Sequence, residues 1–269
     1  MGKGFPNEHL LITPRELADT IASATPLLIL DLRPPEAYTA GHLPGAHHLD
    51  LWGVSLVDTD PAPLKAFMWM IEHVLQIHGV DANTPVVVYD EQSGMRAARA
   101  FWFLEYFGHP SVRMLDGGFG AWQRAGLPGT RDAAAPPKSE WTGQPQPATI
   151  ATWRDVSEAI GRPGTILLDT RSEGEHRGTV VRAKRGGTIP GAVHVEWKDN
   201  LTADGEFKPA AELRAMYEAA GVTPDREVIT FCQGGYRAAH SYVALRLLGY
   251  PKVRNYTGSW GEWGNREGC

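Results

Sequence analysis

The chain has 269 residues, of which 42% are apolar and 21% are charged, the mixture of an ordinary soluble globular protein. This length is large for one hydrophobic core and suits two domains of roughly 130 residues each. The formal net charge of -5 gives no general reason to expect a nucleic acid or an anionic membrane surface as partner.

The sequence shows no targeting or membrane-spanning pattern. Residues 1–10 lack the apolar core of a secretory signal, and the longest apolar runs have only strand length. The two cysteines, Cys232 and Cys269, are too few for a disulfide framework in a chain of this size, which fits a reducing compartment. We therefore expect a cytoplasmic protein without a membrane partner. We also expect Cys269, the last residue, to be dispensable.

Taken in chain order, each half is predicted to open with a capped helix, because Thr13 and Thr152 each precede an acidic residue by three positions. Short apolar runs without alternation follow, and such runs suit strands covered on both faces. Helical patterns separate these strands, which favours a mostly parallel α/β sheet. The predicted strands are 27–30, 86–89, 165–168 and 227–231, and the predicted later helices are 64–77 and 210–220.

The two halves repeat the same landmarks in the same order. The repeated pieces are Leu-Asp-Leu-Arg at 30–33 and Leu-Asp-Thr-Arg at 168–171, the segments ending in Pro-Gly-Ala at 41–46 and 187–192, and Arg-Ala-Ala at 96–98 and 237–239. A shared order of this kind indicates a duplicated domain, since the period is too long for a solenoid. We expect domains at 1–132 and 148–269, joined by an Ala- and Pro-rich linker at 133–147.

Cys232 occupies the position with the strongest chemical signal. It follows the predicted strand 227–231 and precedes Gly234, Gly235 and Arg237, after which a helix is predicted. Two glycines permit tight turns that direct several N–H groups toward one centre, and a helix N-terminus adds its dipole. These features favour a thiolate, which is the nucleophilic form of cysteine. A buried cysteine of purely structural role is the weaker interpretation in this context.

These motifs together resemble the rhodanese family over essentially the whole chain. The resemblance implies two tandem rhodanese-like domains, each a mostly parallel sheet flanked by helices, with catalysis in the C-terminal domain. It also implies a six-residue loop that opens with the nucleophile and surrounds the substrate. The residues of that loop are Cys232, Gln233, Gly234, Gly235, Tyr236 and Arg237.

The first half departs from this pattern at the decisive position. Asp90 stands where Cys232 stands in the second half, and a carboxylate cannot form a persulfide. The first domain is therefore interpreted as catalytically inactive, with a role in packing against the second domain and walling its cleft.

Other chemically suggestive residues favour structural roles. The Asp-x-Arg pairs and the histidines behind them occur in both halves, including the inactive one, so structural pairing is preferred over catalysis. No clustered Cys and His spacing predicts a metal site. The basic segment 176–185 is an insertion relative to the first half, and Arg177 or Arg182 is a candidate for holding an anionic donor, with a solvated loop as the alternative.

The resemblance implies a sulfurtransferase that needs no cofactor. The Cys232 thiolate would take a sulfane sulfur from a small anionic donor and pass it to cyanide, a thiol or a protein acceptor. Thiosulfate is preferred as donor because Arg237 carries a full charge beside the loop, and 3-mercaptopyruvate is the alternative. More distant alternatives are a Cys-dependent phosphatase or arsenate reductase, and a non-catalytic sulfur carrier or partner-binding module.

Overall fold

The structure is a computed structural model that describes residues 2–133, 135–136 and 138–268. The first half contains β1 (Leu11–Ile12), α1 (Pro14–Ala22), β2 (Leu28–Asp31), α2 (Pro35–Ala40), β3 (Ala46–His48), α3 (Pro61–Ile77), β4 (Val86–Tyr89), α4 (Met95–Tyr106), β5 (Val112–Leu115) and α5 (Gly118–Arg124). The second half contains β6 (Ile150–Ala151), α6 (Trp153–Ala159), β7 (Thr165–Asp169), α7 (Glu173–His176), β8 (Val193–His194), α8 (Ala210–Ala219), β9 (Glu227–Phe231), α9 (Tyr236–Leu247), β10 (Val253–Tyr256) and α10 (Ser259–Trp263). Short 3₁₀ turns occur at Glu8–Leu10, Pro147–Thr149 and Trp197–Asn200.

Each half forms one five-stranded sheet, and the two sheets have the same topology. The strand orders are β1-β5-β4-β2-β3 and β6-β10-β9-β7-β8, and the pairs between these strands are parallel. Helices connect the strands and cover the sheets, which confirms the predicted α/β class. The sheet order also explains the apolar, non-alternating runs, since all four residues of β2 and of β4 are buried.

The predicted helix starts are confirmed in atomic detail. Thr13 accepts the N–H of Glu16 through its hydroxyl, and the Glu16 carboxylate accepts the N–H of Thr13 in return. Thr152 and Asp155 form the same reciprocal pair at the start of α6. The predicted helix at 64–77 begins three residues earlier, because Pro61 is tolerated in a first turn where no N–H partner is needed.

The two halves share one interface, centred on α4 and α9. Buried side chains of both helices belong to a single apolar cluster that runs through both halves. At its edge the carboxylate of Glu105 in α4 accepts the Tyr242 hydroxyl at 2.7 Å and pairs with Arg246 at 3.1 Å, both from α9. Because α4 and α9 each follow the loop at the end of a central strand, this packing brings the two loops close to the interface. Among the described residues, no helix is long and apolar enough to cross a membrane.

Candidate active site

The candidate nucleophile lies at the carboxyl end of a central strand. β9 is hydrogen-bonded to β10 on one side and to β7 on the other, and its last four residues are buried. Cys232 follows β9 directly, and α9 begins four residues later at Tyr236. This edge is where open parallel sheets bind their ligands. The structure therefore places Cys232 in the predicted strand–loop–helix position, with only 1% of its surface exposed.

The loop turns N–H groups toward the sulfur. Gly235 has a φ of 84°, a left-handed conformation that glycine adopts without steric cost, and its N–H donates to Cys232 Sγ at 3.1 Å. Burial acts to raise the pKa of the Cys232 thiol. The charge of Arg237 and the N–H groups of Ala238, Gly234 and Gly235 outweigh it, so the pKa lies below that of an ordinary thiol. The loop therefore favours the thiolate form of Cys232 more strongly than water favours it for a free thiol.

The guanidinium of Arg237 is held by an acid that the sequence did not reveal. Arg237 Nη1 and Nη2 donate to the two carboxylate oxygens of Glu175 at 2.5 and 2.9 Å. The side chains are 14% and 5% exposed, so the pair is largely shielded from solvent. Burial acts to raise the pKa of Glu175, but Arg237 lowers it to about 2. The net charge that this pair offers to a donor is consequently smaller than a free Arg237 would offer.

The basic insertion lies beside the loop, but its two candidate arginines differ in placement. The backbone carbonyl of Arg182 accepts a hydrogen bond from the Gln233 side-chain Nε2 at 3.2 Å, and Arg182 Nη1 lies 3.6 Å from Glu175. Its side chain remains 56% exposed and so keeps a charge at the rim of the loop. Arg177 is 70% exposed and pairs with Glu173 in its own helix. The structure therefore brings Arg182 to the loop and leaves Arg177 at the surface.

The first half supplies a wall for the loop. The Tyr236 hydroxyl donates to the carbonyls of Leu51 and Val54 at 2.5 and 3.0 Å, which joins the loop to a segment between β3 and α3. The ring of Trp52, from the same segment, meets the Tyr236 ring edge-on at 5.3 Å. The Arg96 guanidinium lies over the Trp52 ring, 4.3 Å from its centroid.

Ser259 is a functional candidate that sequence reasoning missed. Its hydroxyl accepts the N–H of Cys232 at 3.1 Å and donates to the carbonyl of Tyr256 at 2.7 Å. Ser259 has a φ of 53°, in the left-handed region that side-chain-bearing residues rarely adopt. The corresponding residue of the first half is Gly118, with a φ of 56°. The sequence contains a signal for this residue, because Ser259 stands where the repeated turn of the first half has Gly118.

Arg99 is the second missed residue, and it comes from the first half of the chain. It lies in α4 and is fully buried, with Nη1 packed so closely against Gly235 that a Cβ on that glycine would overlap it. Within the part of the chain that the structure describes, none of its three guanidinium nitrogens has a hydrogen-bond partner. Aromatic rings surround it instead, with Phe103 at 4.7 Å and Tyr236 at 5.0 Å. A lone arginine among repeated apolar helix residues carries no recognisable motif.

The matching loop of the first half is filled by its own side chain. Asp90 follows β4 as Cys232 follows β9, and its carboxylate accepts N–H groups of Gln92, Gly94, Arg96 and Ala97 at 3.0 to 3.3 Å. Burial raises the pKa of Asp90 to about 6, although the four N–H donors act to lower it. The loop from Asp90 to Arg96 has five intervening residues, whereas four separate Cys232 from Arg237.

Each of the two interface helices places one side chain against the loop of the other half. Arg99 lies three positions after Arg96, and the equivalent residue of α9, three positions after Arg237, is His240. His240 is buried against the first loop, where its Nε2 lies 2.8 Å from the carbonyl of Ser93. Burial lowers the pKa of His240 to about 4, which leaves the ring neutral at pH 7. The loop of Cys232 thus borders a cation, and the loop of Asp90 borders a neutral ring.

The repeated Asp-x-Arg pairs serve the scaffold in both halves. Arg33 donates to Asp31 and to the Gly41 carbonyl, and Arg171 makes the same contacts with Asp169 and the Gly187 carbonyl. The histidines behind them do the same, since His48 and His194 contact the carbonyls of these arginines at 2.9 and 2.7 Å. Among the residues described, no group of three or more His, Cys, Asp or Glu side chains could hold a metal ion. Cys269 lies outside the described residues.

Comparison with known proteins assigns the chain to a family. The family model described as "Rhodanese-like domain" matches twice, at residues 13–125 and 152–266. The chain is 36% identical to the sulfur carrier protein TtuD of Thermus thermophilus over 251 residues, which cover 86% of this chain and 85% of the relative. It is 34% identical to a thiosulfate sulfurtransferase of Pseudomonas aeruginosa over 271 residues, which cover 97% and 96%.

A second protein of Pseudomonas aeruginosa, named "Probable 3-mercaptopyruvate sulfurtransferase", is also 34% identical, over 94% of each chain. Among solved structures, wild-type EanB superimposes with a TM-score of 0.86 at 22% identity, over 98% of this chain and 69% of that one. That likeness supports the same tandem fold. The chain is a member of the rhodanese-like family and carries two copies of its domain.

Proposed function

We propose that the chain moves a sulfane sulfur from thiosulfate to a thiophilic acceptor through a persulfide on Cys232. The sulfurtransferase class is supported by relatives with that name, which align over nearly the whole chain. The observation that carries the assignment to Cys232 is the Gly235 N–H directed at its Sγ, in a loop whose charges favour a thiolate. The catalytic unit is the domain at 148–269, the domain at 1–132 is inactive, and residues 133–147 connect them.

The chemistry divides into two displacements. The Cys232 thiolate attacks the outer sulfur of the donor, a new S–S bond forms, and sulfite leaves with the electron pair of the broken S–S bond. The acceptor, a thiolate or cyanide, then attacks the outer sulfur of the persulfide, and Cys232 leaves as the thiolate. The cycle is ping-pong covalent catalysis and requires no external oxidant or reductant. The N–H groups of Gly234 and Gly235 stabilise the anionic sulfur in both states.

Donor selection falls to Arg182 rather than to Arg237 in this proposal. Arg237 is engaged at both terminal nitrogens by Glu175, so its role is to order the loop and favour the thiolate. Arg182 keeps an exposed guanidinium beside Gln233, where a compact dianion would meet it. Thiosulfate carries more charge than 3-mercaptopyruvate and gains more from that contact. Parallel kcat/KM measurements with both donors test this, and an unchanged donor ratio in Arg182→Ala would remove Arg182 as the cause.

Intact-mass spectrometry after incubation with thiosulfate tests the proposed function most directly. We expect one added sulfur, about 32 Da, on the native protein and on Cys269→Ser, and none on Cys232→Ser. Release of that mass by cyanide, with thiocyanate formed, completes the cycle. A sulfur that remains on Cys232→Ser would contradict the assignment.

A sulfur carrier is the second candidate, favoured by the 36% identity to TtuD. The two functions share the persulfide and differ in turnover. An enzyme transfers the sulfur rapidly to small acceptors such as cyanide, whereas a carrier transfers it much faster to a protein partner than to cyanide. A phosphatase is disfavoured because a loop with four residues between Cys232 and Arg237 suits a single sulfur better than a tetrahedral phosphate.

A further inference from the structure

We propose that Arg99, from the inactive half, is a positioning residue that holds Cys232 as a thiolate from beneath the loop. The inference rests on the proposed function, because it assumes that Cys232 is the nucleophile. It starts from an anomaly in the interface. A guanidinium that is fully buried and has no hydrogen-bond partner is strongly disfavoured unless a nearby anion compensates for its charge.

Among the described residues, the Tyr236 phenol and the Cys232 thiol are the neighbours whose negative charge would compensate Arg99, and burial raises the pKa of Tyr236 further above neutral pH. The guanidinium of Arg99 contacts Gly235, whose N–H donates to Cys232 Sγ at 3.1 Å. The rings of Trp102, Phe103 and Tyr236 surround it at 4.7 to 5.3 Å, and rings stabilise a cation without neutralising it. Burial lowers the pKa of Arg99 to about 10, so the group remains charged at neutral pH, and the charges of Tyr236 and Cys232 act in the opposite direction.

The other buried charged groups named at the loop already have partners of opposite charge, and Arg182 at the rim is exposed to solvent and lies 3.6 Å from Glu175. Arg237 is paired with Glu175, and Arg171, which lies over Trp260, is paired with Asp169. On α10, the Glu262 carboxylate accepts hydrogen bonds from the Tyr256 hydroxyl and from the N–H and hydroxyl of Thr59. It also forms an ion pair with Arg266. The Tyr236 hydroxyl donates to backbone carbonyls. Arg99 is therefore a buried guanidinium at the loop for which the described residues show no hydrogen-bond partner.

The equivalent position in the other helix supports a specific role. His240 occupies the place of Arg99 beneath the loop of Asp90, and its ring is neutral at pH 7. That loop already contains a carboxylate satisfied by four N–H groups. The cation therefore accompanies the loop that has a reactive sulfur, and a neutral ring accompanies the loop that has none. A purely structural need at the interface would not distinguish the two positions in this way.

The test measures the thiolate itself, so that it is independent of sulfur transfer. All variants are made in a Cys269→Ser background, so that alkylation reports on Cys232 alone. The rate of reaction with iodoacetamide is followed as a function of pH for Arg99→Met, which removes the charge, and Arg99→Lys, which keeps it. Arg246→Met is the matched control, since it deletes an arginine of the same helix interface that pairs with Glu105.

We expect Arg99→Met to raise the apparent pKa of Cys232 by about one unit, which lowers the alkylation rate about tenfold at a pH below that pKa. Arg99→Lys should keep most of the native rate, and Arg246→Met should keep the native pH profile. If the methionine variant does not fold, Arg99→Gln replaces it, since glutamine retains N–H donors without a charge.

An unchanged pH profile in the folded uncharged variant, or an equal shift in Arg246→Met, would overturn the role of Arg99. Absence of a persulfide in the native protein, with the pH profile shifted as expected, would instead refute the proposed function and leave the electrostatic role of Arg99 intact. The two failures are therefore distinguishable.

Discussion

The two loops that follow the central strands β4 and β9 occupy the same place in the two domains, but a different side chain faces the inward N–H groups of each. The loop of Asp90 satisfies its inward N–H groups with a carboxylate of its own, held by four donors. The loop of Cys232 directs the same kind of donors at a single sulfur atom and is one residue shorter. In the proposed function, the loop that supplies its own anion takes no substrate, whereas the loop around Cys232 accepts and releases a sulfur. The comparison teaches that the fold provides inward N–H groups in both halves. In the proposed function, the first side chain of the loop, Asp90 or Cys232, determines whether those groups bind a substrate sulfur.

The largest expected effect comes from exchanging the decisive side chains. Cys232→Ser should lower sulfur transfer by at least about 10³-fold, because the covalent nucleophile is lost. Adding Asp90→Cys to that variant should not restore activity, since the longer loop, the neutral His240 and the absence of a second Glu175–Arg237 pair leave the new thiol unactivated. Thiocyanate formation from thiosulfate and cyanide measures the activity of both variants. Recovery of more than a few per cent of the native rate in the double variant would show that the two loops are functionally equivalent.

The arginines that end the two loops allow a sharper, matched test. Arg237 pairs with Glu175 in a shielded bidentate contact, whereas the equivalent Arg96 pairs with Asp50 near the surface at 3.4 Å. Glu175→Gln should reduce the free energy of unfolding by about 3–5 kcal/mol, because a buried charge loses its partner. Asp50→Asn should change it by at most about 1 kcal/mol. Urea unfolding at pH 7 measures both values.

The pH dependence of the same pair has a defined sign. The pKa of Glu175 is lowered from its ordinary value of 4.5 to about 2 in the folded chain. Its stabilising effect is therefore fully present above pH 4.5 and is lost as the pH falls from about 4.5 to about 2. The native chain should lose stability relative to Glu175→Gln across this window. Parallel pH profiles of the two proteins would contradict the pairing.

The smallest expected effect on activity, with a measurable effect on stability, comes from emptying the first loop. Asp90→Ala leaves four inward N–H groups without their acceptor, and we expect a loss of about 2–4 kcal/mol in the free energy of unfolding. Turnover should stay within about twofold of the native rate, provided that the assay temperature lies well below the unfolding transition. A loss of activity comparable to that of Cys232→Ser, in a folded protein, would show that the first loop takes part in the reaction.

The fold was predictable from the sequence to a large extent because its signals are local or repeated. The capping residues Thr13 and Thr152 mark helix starts, and the strand before Cys232 is found at the predicted residues, Glu227–Phe231. The second strand of the first half is displaced by one residue, from 27–30 to Leu28–Asp31, since Asp31 pairs with Tyr89 in the sheet. Boundaries of this kind depend on pairing partners that lie far away in the chain.

The candidate site was predictable only where its residues are contiguous. Cys232 and the loop after it form one motif, and the structure places them together. The Glu175 carboxylate that engages Arg237, the Ser259 hydroxyl at the Cys232 N–H and the buried Arg99 come from other elements, and no spacing rule connects them to Cys232. The sequence predicts a free charge on Arg237 for the donor, and the structure shows instead that Glu175 of α7 pairs with Arg237 of α9.

The contact between Gly235 and Arg99 has a consequence for attempts to redesign the loop. A side chain at position 235 would overlap the guanidinium of Arg99, and the φ of 84° would add backbone strain. The permitted residues at one position of the second domain are therefore set by a side chain of the first domain. Libraries that seek new donors or acceptors should vary positions 233, 234 and 236 while keeping glycine at 235, or should vary 235 and 99 together as a single unit of selection.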